Sequence, residues 1–119
     1  MKIGIVMPSF NQGRFIAEAI ESVLAFEHLD MELLVMDGGS TDETVSILKS
    51  FGDRIRWVSE PDDGQSWAIN EGFRRVDGDI LCWLNSDDFF TPNALDHVLR
   101  TFENNPGIKF VYGLSLIHI

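Results

Sequence analysis

Five short apolar runs, the first four each followed by a polar loop and then by apolar residues at helical spacing, leave this chain few folds to choose from. The runs are Lys2–Met7, Glu32–Met36, Ile55–Val58, Ile80–Leu84 and Ile108–Tyr112. They are short, as strands are, and the first is rich in β-branched residues. The segments between them carry apolar residues three and four apart: Ile16, Ala19, Ile20, Val23 and Leu24; then Val45, Leu48 and Phe51; then Ile69, Gly72, Phe73 and Val76 between Gln65 and Val76; and finally Leu95, Val98, Leu99 and Phe102. That spacing gives each one buried helical face. Strict strand–helix alternation predicts an α/β fold with an open, mostly parallel sheet, right-handed crossovers and helices on both faces.

Local signals place the boundaries. Pro8 cannot donate to a ladder and is expected to close the first strand. Ser40 with Glu43 three residues on forms a capping-box pattern, so the second helix is expected to start there. Thr91-Pro92 pairs an N-cap residue with proline at the first helical position and starts the fourth helix.

The chain has 119 residues, enough for one modest core. We assign residues 1–113 to one domain and 114–119 to a tail, whose abrupt apolar end reads as a C-terminally truncated strand or a cloning junction. A formal charge of −10 with only 9 Lys and Arg argues against nucleic acid as partner, and an anionic ligand would need a bridging cation. The lone cysteine, Cys82, lies in an apolar run and excludes an internal disulfide framework. The first residues are too short and too soon broken by Pro8 for a signal peptide or membrane span, so a cytoplasmic location is expected.

In open α/β sheets ligands bind outside the carboxyl ends of the strands, and the polar loops fall there. Asn85-Ser86-Asp87-Asp88 directly follows a buried run, where unpaired carboxylates are costly, so the acidic pair is expected to hold a cation. Hard oxygen ligands with few partners, as Asp87 and Asp88 would be, suit Mg2+ or Mn2+ bridging to phosphate. Asp37-Gly38-Gly39-Ser40 reads as a helix entry and also as a place where a carboxylate and glycines meet a base or ribose. Asp62-Asp63-Gly64 reads as a solvated turn, or as a calcium loop without its ladder of oxygen ligands. Asn70 is surface, packing or site, and Arg74-Arg75 reads as a solvated basic face.

Taken together and in order, Pro8-Ser9-Phe10-Asn11, Asp37 to Thr44, Ser59 to Gln65 with Ala68-Ile69-Asn70-Glu71-Gly72, and Gly78-Asp79 leading to Leu84-Asn85-Ser86-Asp87-Asp88 resemble the successive motifs of family 2 glycosyltransferases, which have the GT-A, Rossmann-like fold. The resemblance spans residues 1 to about 113. It implies transfer of a sugar, usually with inversion, from a UDP- or GDP-type nucleotide-diphosphate sugar to a glycan or lipid-linked acceptor hydroxyl, with a divalent metal. Carried over residue by residue, it places Pro8, Ser9, Asn11, Asp37, Gly38, Gln65, Asn70, Asn85 and Ser86 at the nucleotide sugar, and Asp87 at the metal. Three residues depart from the pattern: Asn85 stands for the first aspartate of the Asp-x-Asp motif, Gly38 for a frequent second aspartate, and Trp67 for a frequent acidic residue.

The resemblance also puts the general base and most of the acceptor pocket farther along than this chain extends. No catalytic residue is therefore expected within it, and the fragment is expected to bind donor weakly and turn over little. A non-catalytic nucleotide-sugar-binding or interaction module is the alternative. A phosphoacceptor receiver domain shares the layout, but its acidic pair, its aspartate and its lysine are missing at Met7-Pro8-Ser9, Ser59 and the end of the fifth run. The full-length protein is expected at the inner face of the membrane, without a span in this chain, and exposed apolar surface is expected to favour homo-oligomers.

Overall fold

The computed structural model describes residues 2–26, 28–86, 100 and 111–113. Five parallel strands, β1 (Ile3–Ser9), β2 (Met31–Asp37), β3 (Arg56–Ser59), β4 (Ile80–Trp83) and β5 (Val111–Gly113), form one sheet in the order β3-β2-β1-β4-β5. Between them run α1 (Ile16–Leu24), α2 (Thr44–Ser50), a 3-10 turn (Gly52–Arg54) and α3 (Gln65–Arg75). The helix expected after Thr91-Pro92, the Ile108–Phe110 part of the fifth run and the 114–119 tail lie outside the described residues.

Because side chains alternate along a strand, β1 serves two cores. Ile3, Ile5 and Met7 pack with Leu33, Val35, Ile80 and Cys82 beneath the apolar faces of α1 and α2. Val6 points the other way, to Leu34, Met36, Ala68 and Val76 beneath α3. Each such fully buried side chain contributes about 1.5–3 kcal/mol relative to exposure. Trp67 packs against this second core, so apolar burial explains its presence on α3. Gly72 sets how closely α3 approaches, since a Cβ there would meet Val6 Cγ1 at 2.5 Å. On α2 it is Thr44 and Leu48 that are fully buried, while Val45 is only half-buried.

Two local expectations are corrected. Pro8 does not close β1; it lies inside the strand, in register with Met36, and Ser9 still pairs with Asp37. Val6 accepts from the Leu84 N–H on the β4 side, so the Pro8 nitrogen, two residues on, faces the same side just beyond the end of β4. No ladder bond is lost there. The capping box also fails to form. Ser40 Oγ donates to Asp37 Oδ1 at 2.6 Å, and α2 starts only at Thr44, whose N–H donates to Asp42 Oδ1 at 2.9 Å.

Candidate functional site

The strand order reverses at β1, with β2 and β3 on one side and β4 on the other. Such a switch point leaves a crevice at the carboxyl ends of the strands. Here the crevice is an open cleft of about 470 Å³. The end of β1 contributes Pro8, Ser9, Phe10 and Gln12; the end of β2 contributes Gly38; the β3–α3 turn and the start of α3 contribute Asp62, Gly64, Gln65 and Ala68; and the end of β4 contributes Asn85 and Ser86.

Beneath the cleft, Asp37 organises the rim. It is 2% exposed, and its Oδ2 accepts from the N–H groups of Gly39 at 3.2 Å and Ser40 at 2.8 Å and from Ser59 Oγ at 2.8 Å. With Oδ1 taken by Ser40 Oγ, the carboxylate is fully engaged inside the protein. A buried carboxylate with four donors ties the ends of β2 and β3 to the loop between them.

A second set of bonds stitches the β1–α1 loop to the β2–α2 loop. Asn11 sits at φ 51°, a left-handed conformation that asparagine tolerates better than most residues. Its N–H donates to Ser40 Oγ at 2.8 Å, and its Oδ1 accepts from the Thr41 N–H at 2.8 Å. Nearby, Gly13 N–H donates to Asp42 Oδ2 at 3.0 Å. The Thr44 hydroxyl and N–H, with the Gly13 N–H, outweigh burial and hold the Asp42 carboxyl below the ordinary aspartate range.

Across the cleft, Gln65 Nε2 donates to Asn85 Oδ1 at 2.5 Å. The amide oxygen at the position of the missing aspartate is thus already partnered. Gln65 opens α3 after Gly64, whose φ of 108° permits the sharp entry, so N–H groups of the helix start beside the cleft. Ser9 Oγ is buried and has no hydrogen-bond partner among the described residues. Such a hydroxyl at the edge of a cleft is open to a water or a ligand atom. Phe10, at the same edge, is 56% exposed.

Of the site residues expected from sequence, Pro8, Ser9, Gly38, Gln65, Asn85 and Ser86 come together around the cleft. Asn11 and Asp37 support the loops at its edge, and Asn70 is exposed on α3 and does not line it. Asp87 and Asp88 lie outside the described residues. Sequence reasoning passed over Phe10, Gln12, Asp62, Gly64 and Ala68 as cleft residues; only the carboxylate of Asp62 offered a signal, and it read equally well as a turn. Arg74 and Arg75 are drawn to Glu71 at 3.9 Å and 3.1 Å, as expected for a solvated face.

The sequence profile described as Glycosyl transferase family 2 matches residues 4–113. The chain belongs to this family. An uncharacterized glycosyltransferase of Nostoc sp. strain PCC 7120 is 30% identical over 98% of the chain, which spans 38% of that relative's length. Among solved structures, a mannosyltransferase of Pyrobaculum calidifontis in complex with GDP-Man and Mn2+ superposes with a TM-score of 0.79 at 20% identity, over 89% of this chain and 33% of that one. Glucosyl-3-phosphoglycerate synthase of Mycobacterium tuberculosis, in complex with Mn2+, UDP and glucosyl-3-phosphoglycerate, gives 0.71 at 26% identity, over 90% and 41%. The fold is therefore the GT-A type, and this family member spans well under half the length of each of these proteins.

Whether the residues present suit the family's divalent ion is a matter of donor chemistry. Among the described residues no three potential metal-ligating side chains cluster, and no Lys or Arg lines the cleft. A diphosphate entering it would find little positive charge beyond α3's first N–H groups. That fits an ion supplied from the acidic pair immediately following Asn85-Ser86 in the sequence.

Proposed function

We propose that the cleft binds the nucleotide end of a nucleotide-diphosphate sugar, and that this chain supplies the donor-binding part of a glycosyltransferase acting on an acceptor hydroxyl. The observation that carries the reading is the buried Ser9 hydroxyl, without a partner among the described residues, at a cleft on the switch point of a family 2 sheet. In this reading Phe10 offers its exposed face to the base, Ser9 and Gln65 hydrogen-bond the ligand, and the first N–H groups of α3 favour its anionic groups. Asp37 holds the Gly38–Ser40 loop in place, and Asn11 ties it to the β1–α1 loop.

Asp87, with Asp88 beside it in sequence, is the proposed holder of Mg2+ or Mn2+. When bound, the ion offsets the charge that develops on the diphosphate leaving group. The roles of this chain's own residues are binding and orientation. We assign it no general base, and we propose a glycan or lipid-linked acceptor, polysaccharide biosynthesis, and a cytoplasmic site of action at the inner membrane face. The bond between Asn85 and Gln65 favours one second reading, a nucleotide-sugar-binding module without turnover, because it occupies the amide that replaces the family's first aspartate.

Calorimetry with a UDP- or GDP-sugar and Mn2+ tests the proposal. Binding is expected to require the metal and to be lost in Asp87→Ala. Binding unchanged by that substitution overturns the metal assignment, and no binding of either donor overturns the site.

A further inference from the structure

We infer that Gln65 is a positioning residue: its side-chain amide ties the end of β4 to the first turn of α3, and so fixes the point from which the acidic pair Asp87-Asp88 leaves the sheet. The inference rests on the proposed nucleotide and metal site.

The sheet itself cannot hold that point. The last bond between β1 and β4 is the one from the Leu84 N–H to the Val6 carbonyl, at 3.0 Å. In a parallel ladder the next donor toward β4 comes two residues along β1, and that residue is Pro8, which has no N–H to give. On the other side, among the described residues, β5 is paired no farther than Trp83, which lies opposite Gly113. Asn85 and Ser86 therefore run on past the ladder, immediately before Asp87 in the sequence. Among the described residues one hydrogen bond reaches them, from Gln65 Nε2 to Asn85 Oδ1 at 2.5 Å, across 20 residues of chain.

The anchor at the other end of that bond is firm. Gln65 is exposed, but it opens an 11-residue helix whose Ala68 and Gly72 are buried, with Gly72 so close to β1 that a Cβ there would meet Val6 Cγ1 at 2.5 Å. The helix start is held as well: the Gly64 N–H donates to Asp62 Oδ1 at 2.9 Å, and the Ala68 N–H donates to the Gly64 carbonyl at 3.0 Å. A side chain on so fixed a turn places whatever it bonds. The bond needs one donor and one acceptor, and two facing amides supply both in either orientation. Asn85 thus keeps the end of β4 in place without a charge of its own. Groups outside a metal's own ligand set commonly hold the ligands in their working orientation, and the tie between Gln65 and Asn85 does this for the acidic pair that follows.

The test is calorimetric titration with UDP and, in parallel, with GDP, each with and without Mn2+, for the native protein, Gln65→Ala, Asn85→Ala and the two substitutions combined. The quantity read is the gain in nucleotide affinity that Mn2+ brings. Gln65→Ala is expected to reduce that gain about fivefold, the worth of one neutral hydrogen bond, and Asn85→Ala to reduce it by as much. The double variant is expected to lie within about twofold of either single one, because both remove the same bond. A direct contact of Gln65 with the nucleotide weakens binding equally with and without the metal, and a purely structural role lowers the melting temperature without touching the gain. An undiminished gain in Gln65→Ala, or losses that multiply in the double variant, overturns the inference and leaves the nucleotide site standing. A native protein that binds neither nucleotide, or binds one with no gain from Mn2+, overturns the proposed site and the inference with it.

Discussion

At the amino end of the sheet Glu32, at the start of β2, faces Lys2 Nζ at 3.5 Å, the Asp77 N–H at 3.3 Å and the Arg56 guanidinium in close contact, whereas at the carboxyl end Asp62 and Ser9 hold polar oxygens without a partner among the described residues. The recess at the amino end, about 290 Å³, is lined partly by Glu32, Asp53, Arg54 and Arg56; the cleft at the carboxyl end has acceptors but, among the described residues, no Lys or Arg. The difference teaches where stability and function part. At one end Glu32, Lys2 and Arg56 pair with one another, and at the other Ser9 and Asp62 keep oxygens without a partner among the described residues. The cleft stays in shape because its own satisfied carboxylate, Asp37, is buried one layer beneath it.

That division can be broken most severely at Asp37. Asp37→Ala strands the Gly39 and Ser40 N–H groups and two hydroxyls, and is expected to cost about 3 kcal/mol or more in a denaturant melt. A loss below about 1 kcal/mol would show that the rim does not depend on it.

A smaller effect is expected at the amino end. Glu32→Gln should cost about 1–2 kcal/mol, discounted for the solvent that reaches the pair, and leave UDP binding unchanged. Burial pushes the Glu32 carboxyl up, but the Arg56 hydrogen bond, the Asp77 N–H and the charges of Arg56 and Lys2 together bring it below the ordinary 4.5. A group lowered on folding stabilises above its unfolded pKa and loses that contribution as pH falls through the folded one. Native protein should therefore lose this contribution only below about pH 4.5, and Glu32→Gln should flatten that part of the stability profile. Weaker UDP binding in Glu32→Gln would mean that the two ends are coupled.

Much of the fold was legible because the signals were local. Apolar runs and helical spacing located the strands and the first three helices, and strand–helix alternation anticipated helices on both faces of the sheet. What was not legible depended on partners distant in sequence. Pro8 is tolerated inside β1 only because β4 ends earlier beside it, which pairing order decides. Ser40 and Glu43 have the spacing of a capping box, but Asp37 captures the Ser40 hydroxyl first. The loops of the site were visible as loops, and six of their residues do surround the cleft. Asp37 and Asn11 have the same chemistry as ligand-binding groups and could not be told from scaffold until their hydrogen bonds were seen.

The smallest change in stability belongs to Ser9→Ala, and it tests the central claim most directly. Removing this buried hydroxyl should leave stability unchanged or raise it by up to about 1 kcal/mol, while UDP affinity falls with loss of the proposed contact to the ligand. Thermal melts and UDP titrations of the two proteins in the same buffer give both numbers. A raised or level Tm with weaker UDP binding is the predicted result. A lowered Tm with unchanged UDP binding would contradict the account, since Ser9 would then belong to the scaffold and the cleft would lose the group that marks it as a site.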